Sequence, residues 1–459
     1  MRDAAGRPDG QVAEAAVGAP LRDRAVAEVA ADPAAIDRVR DALARFAGRN
    51  ASLADLLAFP PLRDRLAGIL SNSPYLEGLA TSDPARLARI LGTPPEERVA
   101  AAVAAAGHPA QSRPELMGRL RTIKQDVALA VGLADLLGVW SLEEVTGALS
   151  DLADAATRAA LDFVLADGER RGAFRLRDPD HPAAGSGVFV LAMGKLGARE
   201  LNYSSDIDLI VLYDRRRNAA ADQRDAERAF VRLARDLVKI LQERTEDGYV
   251  FRVDLRLRPD PGANPLAVAV DSAAHYYATR GVSWERAAFI KARPIAGDEA
   301  AARLFLRAIR PFVWRRRADF SAVEDVDEIR ERMLTVKGHG EITVPGHDVK
   351  VGRGGIREIE FIVQTRQLIA GGRAPALRGR ETLPMLAALA DAGWIGARAA
   401  RELEAAYRFE RMVEHRLQMV ADEQTHRLPS DEEGIARIGR LAGEPDAARF
   451  AARVKDVLG

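Results

Sequence analysis

Between about Asp32 and Asp167 the apolar residues recur at helical intervals. In "AAIDRVRDALARFAG" Ile36, Val39, Leu43 and Phe46 fall near a 3.6-residue period, and Pro60 and Pro61 break the pattern before "LRDRLAGIL". Ser141 and Glu144 in "SLEEVTGALSDLA" form a capping box, each side chain meeting a free amide at a helix start. Arg119, Arg121 and Lys124 lie close together in "RLRTIKQD" and read as a solvated helix face. After the turn-rich "RDPDHPAAGSG" (177–187) the period changes. "VFVLAM" (188–193) and "DIDLIVLY" (206–213) are apolar runs of strand length, and "YVFRVDLRLRP" (249–259) alternates with period two. The charged segment between the last two carries a helical inner stripe of Phe230, Leu233, Leu237, Ile240 and Leu241. Residues 188 to about 298 therefore read as a compact α/β domain. From Ala300 the pattern is helical again, broken by the loop "KGHGEITVPGHDVKVGRGG" (337–355).

This organisation predicts four parts: a disordered leader over 1–31, a helical domain over 32–176, a catalytic domain over 177–330, and a glycine-rich loop with a helical domain over 331–459. The first twenty residues lack the apolar core of a signal peptide, and Asp3, Asp9 and Glu14 argue against a transit peptide. "DAARFAARVKDVLG" is still an amphipathic helix where the sequence stops, which is expected of a truncated piece of a longer protein.

Composition narrows the classes. Lys plus Arg and Asp plus Glu number 67 each, so no global field draws the chain to nucleic acid or to a membrane surface. No run is long and apolar enough for a membrane helix. The absence of cysteine excludes disulfides, thiolate metal sites and a Cys nucleophile, and fits a reducing compartment; the cytoplasm is the expected location.

The chemistry concentrates in the strand-like segments. On a strand, alternate residues share a face, so Asp206 and Asp208 point the same way while Ile207 and Leu209 point into the core. Their backbones are about 6.6 Å apart. Two negative charges at that distance repel by roughly 2.5 kcal/mol at an effective dielectric of 20. A divalent cation turns this repulsion into coordination, and carboxylate oxygens with open water positions suit magnesium. In the third segment Phe251, Val253, Leu255 and Leu257 make one face; Arg252, Asp254, Arg256 and Arg258 make the other. That polar face is either a salt-bridged exposed strand or, with Asp206 and Asp208, a site for a metal-bound polyphosphate, where Asp254 completes the cage and the guanidinium groups bind phosphate.

Upstream, Gly194 and Gly197 in "MGKLGARE" permit a tight turn whose amides can face a phosphate, although the Walker A spacing is absent. Lys195 would be a surface lysine in most proteins. Ser204 and Ser205 are turn residues or hydroxyls that reach a phosphate. In "DVKVGRGGIREIEFIVQ", Gly352, Gly354 and Gly355 lead into a helix, an arrangement that makes either an anion site or an ordinary flexible entry. Lys350, Arg353 and Arg357 add positive charge there, and Glu360 points toward some partner. His339 and His347 read as solvated loop residues.

"LAMGKLGARELNYSSDIDLIVLY", "FRVDLRLRPDPGANPLAV", "YYATRGVSWERAAFIKARPIAGD" and "DVKVGRGGIREIEFIVQTRQLIAGG" resemble, in order, the bacterial glutamine synthetase adenylyltransferase/adenylyl-removing family. The resemblance runs from "SNSPYL" (71–76) to near the end. It implies an α+β chain: a nucleotidyltransferase fold of the polymerase beta-like kind, with a small mixed sheet between amino- and carboxy-terminal helical domains. The family has two such halves in tandem, one removing AMP from a tyrosine of glutamine synthetase by phosphorolysis and one attaching it from ATP. "NYSSDIDL" is similar to the removing half, the other tending toward "GSDLDL". Carried over, the glycine turn falls on Gly194 and Gly197, the metal aspartates on Asp206 and Asp208, and the third carboxylate on Asp254. Ala198 stands where relatives often have glycine.

The resemblance thus implies a magnesium-dependent adenylyl-removing enzyme. Asp206, Asp208 and Asp254 would serve catalysis and hold metal. Gly194, Lys195, Gly197, Ser204, Ser205, Arg252, Arg256, Arg258, Lys350 and Arg357 would bind nucleotide or phosphate. Its implied partners are adenylylated glutamine synthetase, a PII signalling protein, inorganic phosphate and ADP or ATP. The same carboxylates would serve the attaching direction. A regulatory docking module without turnover and a glycosyltransferase with an Asp-x-Asp pair are the rival classes.

Overall fold

The computed structural model describes residues 18–315 and 342–459. Five strands form the sheet: β1 (Val188–Ala192), β2 (Ile207–Tyr213), β3 (Val253–Asp254), β4 (Ala267–Ala269) and β5 (Arg293–Gly297). The order is β3-β2-β1-β5, with β4 also on β2. β1 runs antiparallel to β2 and β5, while β3 and β4 run parallel to β2. The architecture is α+β, a small mixed sheet flanked by helices.

The two apolar runs are unbroken because both faces of the sheet are covered. Val188, Val190 and Ala192 of β1, with Ile207, Leu209 and Val211 of β2, pack into the core built by the Arg113–Leu136, Leu142–Arg170 and Ala226–Gln242 helices. Phe189, Leu191, Ile210 and Leu212 face the opposite core, under the Val270–Thr279, Ser283–Ile290 and Glu299–Val313 helices. The expected stripe from Phe230 to Leu241 is buried throughout. The Ser141–Glu144 capping box is formed, starting a helix of 29 residues. Arg293 ties β5 to that helix through both oxygens of Asp154.

Three expectations are corrected. Residues 18–31 do not fray: Leu21 is fully buried, its amide bonds the Thr93 carbonyl, and the Val26 and Ala27 amides bond the Leu137 carbonyl. Residues 1–17 of the expected leader lie outside the described residues. The Arg119–Lys124 cluster is not a solvated face. Arg121 is fully buried, donating to the carbonyls of Met117, Ile240, Glu243 and Gly248; buried Lys124 pairs with Asp422 at 2.8 Å. Apart from Met117 these partners lie far off in the chain, so spacing within the helix could not reveal them. Finally, the third segment is a strand over two residues only. β3 pairs with the start of β2, and β4 takes the same edge from Val211 onward. With no partner left, the chain after Asp254 turns, and Arg258 closes the turn by donating to the carbonyls of Leu255, Pro261 and Asn264.

The carboxy-terminal helices, including Ile356–Ala370, Thr382–Asp391 and Ala397–Met419, reach back to both earlier regions. Ser73 donates to the Met419 carbonyl at 2.6 Å, and Arg416 pairs with Asp135 at 2.6 Å. Among the described residues no helix is long and apolar enough to cross a membrane.

Candidate active site

β1 and β2 are joined by a turn that includes one helical turn, Gly194–Gly197. Both glycines are sterically required. Gly194 has φ +53°, and a Cβ there would sit 2.7 Å from Oδ2 of Asp208. A Cβ on Gly197 would collide with the Lys291 and Ala192 carbonyl oxygens. The turn therefore lies directly against the acidic start of β2.

Register gathers the carboxylates. Asp208 on β2 and Asp254 on β3 are paired residues of a parallel ladder, and Asp206 immediately precedes β2. Burial, then the charges of Asp254 and Asp206, push the Asp208 carboxyl up to about 6, with Lys350 pulling the other way. Arginines hold the other two. Arg252 Nε donates to Asp206 Oδ1 at 2.7 Å, and Arg256 grips both oxygens of Asp254. Burial works against the Asp254 charge, but the Arg256 bonds keep its carboxyl lowered. Among the described residues no three His, Asp or Glu side chains converge as a ready metal cage. The donor set nonetheless suits a hard dication: Asp208 and Asp254 are paired on parallel strands with Asp206 just ahead of β2, and burial and the other two charges disfavour the ionised form of Asp208. Arg256, with its side chain 83% exposed, meets Asp254 from the solvent side. Asp206, Asp254 and Arg256 line a cleft of about 550 Å³, with Val238, Val253, Leu255 and Leu266 as its apolar wall.

The expected phosphate contacts divide. Arg256 lines the cleft, and so does Arg258, but the Arg258 guanidinium holds loop carbonyls instead. Arg252 bonds Asp206, Ser204 and Tyr249. Ser204 is buried, its hydroxyl accepting from Arg252 and its amide donating to Gln418, so it braces the site from behind; Ser205 is half-buried. Lys195 is not a surface lysine. Its ammonium donates to both oxygens of Glu414 at 2.8–2.9 Å, and burial pushes it down to about 7 against the attraction of that carboxylate. Glu414 itself is held ionised, well below the carboxylate range, by Lys195, His426 and Arg411 in spite of its burial.

The glycine-rich loop is not an open anion site. The amides of Ile356, Arg357 and Glu358, the first of the helix, donate to the carbonyls of Val349, Lys350 and Gly355, and the Gly354 amide donates to Glu358. The glycines serve close packing: Gly354 has φ +76°, and a Cβ there would strike the Leu458 carbonyl. Lys350 is near enough to influence Asp208, while Arg357 is exposed on the helix. His347 is half-buried against Gly352 rather than solvated, and His339 lies outside the described residues. Glu360 does find a partner. It accepts from buried Lys291 at 2.9 Å, and Lys291 also reaches Glu200 at 3.2 Å. Burial would raise the Glu360 carboxyl, but Lys291 and Lys195 hold it at about 2.

Sequence reasoning missed the Ala397–Met419 helix as a contributor. Its Arg411 donates to the Glu200 carbonyl and to Asn202, Glu414 holds Lys195, and Gln418 holds Ser204. Glu410, 2% exposed, has both carboxylate oxygens without a hydrogen bond, and burial pushes it up to about 9. The available signal was a helix that carries Arg411, Glu414 and Gln418 beside its apolar stripe of Phe409, Val413 and Leu417. Arg235, exposed on the Ala226–Gln242 helix at the cleft, was also missed.

Residues 63–308 match the family model described as glutamate-ammonia ligase adenylyltransferase, and residues 327–458 match the one described as PII-uridylyltransferase. Curated relatives called bifunctional glutamine synthetase adenylyltransferase/adenylyl-removing enzyme include three bacterial proteins. That of Mesorhizobium japonicum is 51% identical, over 90% of this chain and 43% of the relative. That of Rhizobium meliloti is 52% identical, over 87% and 41%. That of Bradyrhizobium sp. strain ORS 278 is 48% identical, over 98% and 45%. The chain spans less than half the length of these relatives.

Proposed function

This chain belongs to the glutamate-ammonia ligase adenylyltransferase family, and from that premise we propose that it removes AMP from an adenylylated tyrosine of glutamine synthetase by phosphorolysis. The observation that carries the reading is the Asp208–Asp254 pairing on parallel strands, with the Gly194 turn pressed against it. The run Asn202-Tyr203-Ser204-Ser205 ahead of the acidic pair favours removal over attachment.

In the proposed reaction an oxygen of inorganic phosphate attacks the α-phosphorus. A new P–O–P bond forms, the bond to the tyrosine oxygen breaks, and ADP and the phenolate separate; the phenolate then takes a proton from water. Phosphate at neutral pH is already anionic, so no strong base is needed. Magnesium held by Asp206, Asp208 and Asp254 would supply charge neutralisation on the phosphoryl oxygens. The chain's own cations supply position. Arg256, once off Asp254, is free to bind the incoming phosphate, and Arg235 faces the same cleft. The apolar wall of Val238, Leu255 and Leu266 gives the nucleotide base a surface to pack on. The match of residues 327–458 to a PII-uridylyltransferase model supports a PII signalling protein as regulatory partner.

The test is ADP release from adenylylated glutamine synthetase in phosphate and magnesium, with wild type and Asp206→Asn. The reading predicts release by wild type and none by a folded Asp206→Asn protein. Turnover retained in that variant contradicts it. Label passing from ATP to unmodified glutamine synthetase would support attachment instead, and binding without either reaction would support a docking module.

A further inference from the structure

A directed polar chain runs from the amino-terminal helices to Asp206. Buried Lys124 donates to Asp422 at 2.8 Å and to the Tyr75 hydroxyl at 2.9 Å. Tyr249 donates its proton to the same Asp422 oxygen at 3.0 Å. Its hydroxyl is therefore left as an acceptor, and Arg252 Nη1 donates to it. Arg252 Nε in turn donates to Asp206 Oδ1 at 2.7 Å, and Nη2 to Ser204 at 3.2 Å. Three cations lie by the Tyr249 ring, Lys124 at 5.0 Å, Arg244 at 5.2 Å and Arg252 at 5.4 Å from its centroid.

Two features set this chain apart from an ordinary surface ion pair. Asp422 has φ +50°, a left-handed conformation that aspartate adopts more readily than most non-glycine residues, and it lies just past the Ala397–Met419 helix. Lys124 and Tyr249 both bond the carboxylate that this conformation presents. The other end fixes a full positive charge on the carboxylate that leads into β2. A dication and a guanidinium cannot both take that oxygen without repulsion.

Resting on the metal assignment above, we infer that Tyr249 and Asp422 are positioning residues that hold Arg252 on Asp206, making Arg252 the group a dication must displace. The carboxy-terminal helical region thereby sets the metal affinity of a site to which it contributes no metal ligand. Loss of the Tyr249 hydroxyl removes one of the three tethers on the guanidinium while keeping the ring. The net loss of one hydrogen bond from the guanidinium corresponds to a change of about three- to tenfold in affinity.

The experiment is Mn²⁺ titration calorimetry on wild type, Tyr249→Phe, Asp422→Asn, Arg252→Gln and Asp208→Asn, with each fold checked by thermal melting. The inference predicts Mn²⁺ binding that Asp208→Asn abolishes, tightened about three- to tenfold in Tyr249→Phe and more in Arg252→Gln. Asp422→Asn should move the same way; if it fails to fold because Lys124 loses its anion, Tyr249→Phe carries the test alone. Unchanged affinity in Tyr249→Phe beside tightening in Arg252→Gln overturns the relay. Weaker or equal binding in Arg252→Gln overturns Arg252 as competitor. No Mn²⁺ binding by wild type overturns the metal assignment itself, and the inference with it.

Discussion

Gly194 and Asp208 approach so closely that a methyl group on the glycine would lie 2.7 Å from the aspartate Oδ2. The turn before β2 and the carboxylate on β2 are thus one structural unit. Gly194→Ala adds the strain of a positive φ, on the order of 1–2 kcal/mol, and displaces the carboxylate. Its expected signature is a loss of kcat of roughly 10- to 100-fold with only modest loss of stability. Steady-state kinetics beside a urea melt checks this; unchanged kcat in the folded variant contradicts it.

Lys291 is the cation shared by buried Glu200 and Glu360. Lys291→Met leaves two carboxylates without their counter-ion. Breaking a buried pair from one side costs about 3–5 kcal/mol, and chemical unfolding should show a loss of that order. A loss under 1 kcal/mol would mean the cluster is solvated in solution.

Asp208 carries a pH signature. Its folded carboxyl, near 6, lies above the ordinary 3.8. Between those values the folded protein binds the proton that the unfolded chain releases, so this group's contribution to stability falls as pH rises from about 4 to 6. Asp208→Asn removes the cost of the buried, repelled charge. At pH 7.5 it should be more stable than wild type, on the order of 1–2 kcal/mol in metal-free buffer, and inactive. Melting curves at pH 4.5 and 7.5 check the sign: the gain should shrink at the lower pH.

Glu410 behaves likewise over a wider window. It is held near 9 against an ordinary 4.5, and its oxygens find no donor. Its stabilising contribution is complete below about 4.5 and is lost as pH rises through 9. Glu410→Gln, which stays neutral, should flatten the alkaline decline of the melting temperature between pH 7 and 9. An unchanged slope contradicts the assignment.

What the sequence revealed follows the range of the forces involved. The β1 and β2 runs, the Phe230–Leu241 stripe and the Ser141–Glu144 box depend on near neighbours, and periodicity exposes them. The length of β3 does not, because β4, more than ten residues on, takes the edge of β2 that the alternating residues would have used. Arg121, Lys124 and Lys195 looked like surface charges because the groups that bury them include partners 119 to 298 residues away. The Ala397–Met419 helix has an apolar stripe of Phe409, Val413 and Leu417, but it also buries polar side chains matched to Glu200, Asn202, Ser204 and Lys195, and periodicity does not reveal those partners. The glycine-rich loop has the composition of an anion site, yet its own carbonyls satisfy the helix amides. That distinction lies in three-dimensional geometry alone.

The central claim is phosphate-driven removal of AMP at the Asp206–Asp208–Asp254 site. It is tested most directly by incubating this chain with glutamine synthetase carrying ³²P-labelled adenylyl-tyrosine, magnesium and inorganic phosphate. The account predicts labelled ADP that appears only with phosphate and vanishes in Asp208→Asn. Label that stays on glutamine synthetase with folded wild type, or that leaves equally well with Asp208→Asn, would contradict it.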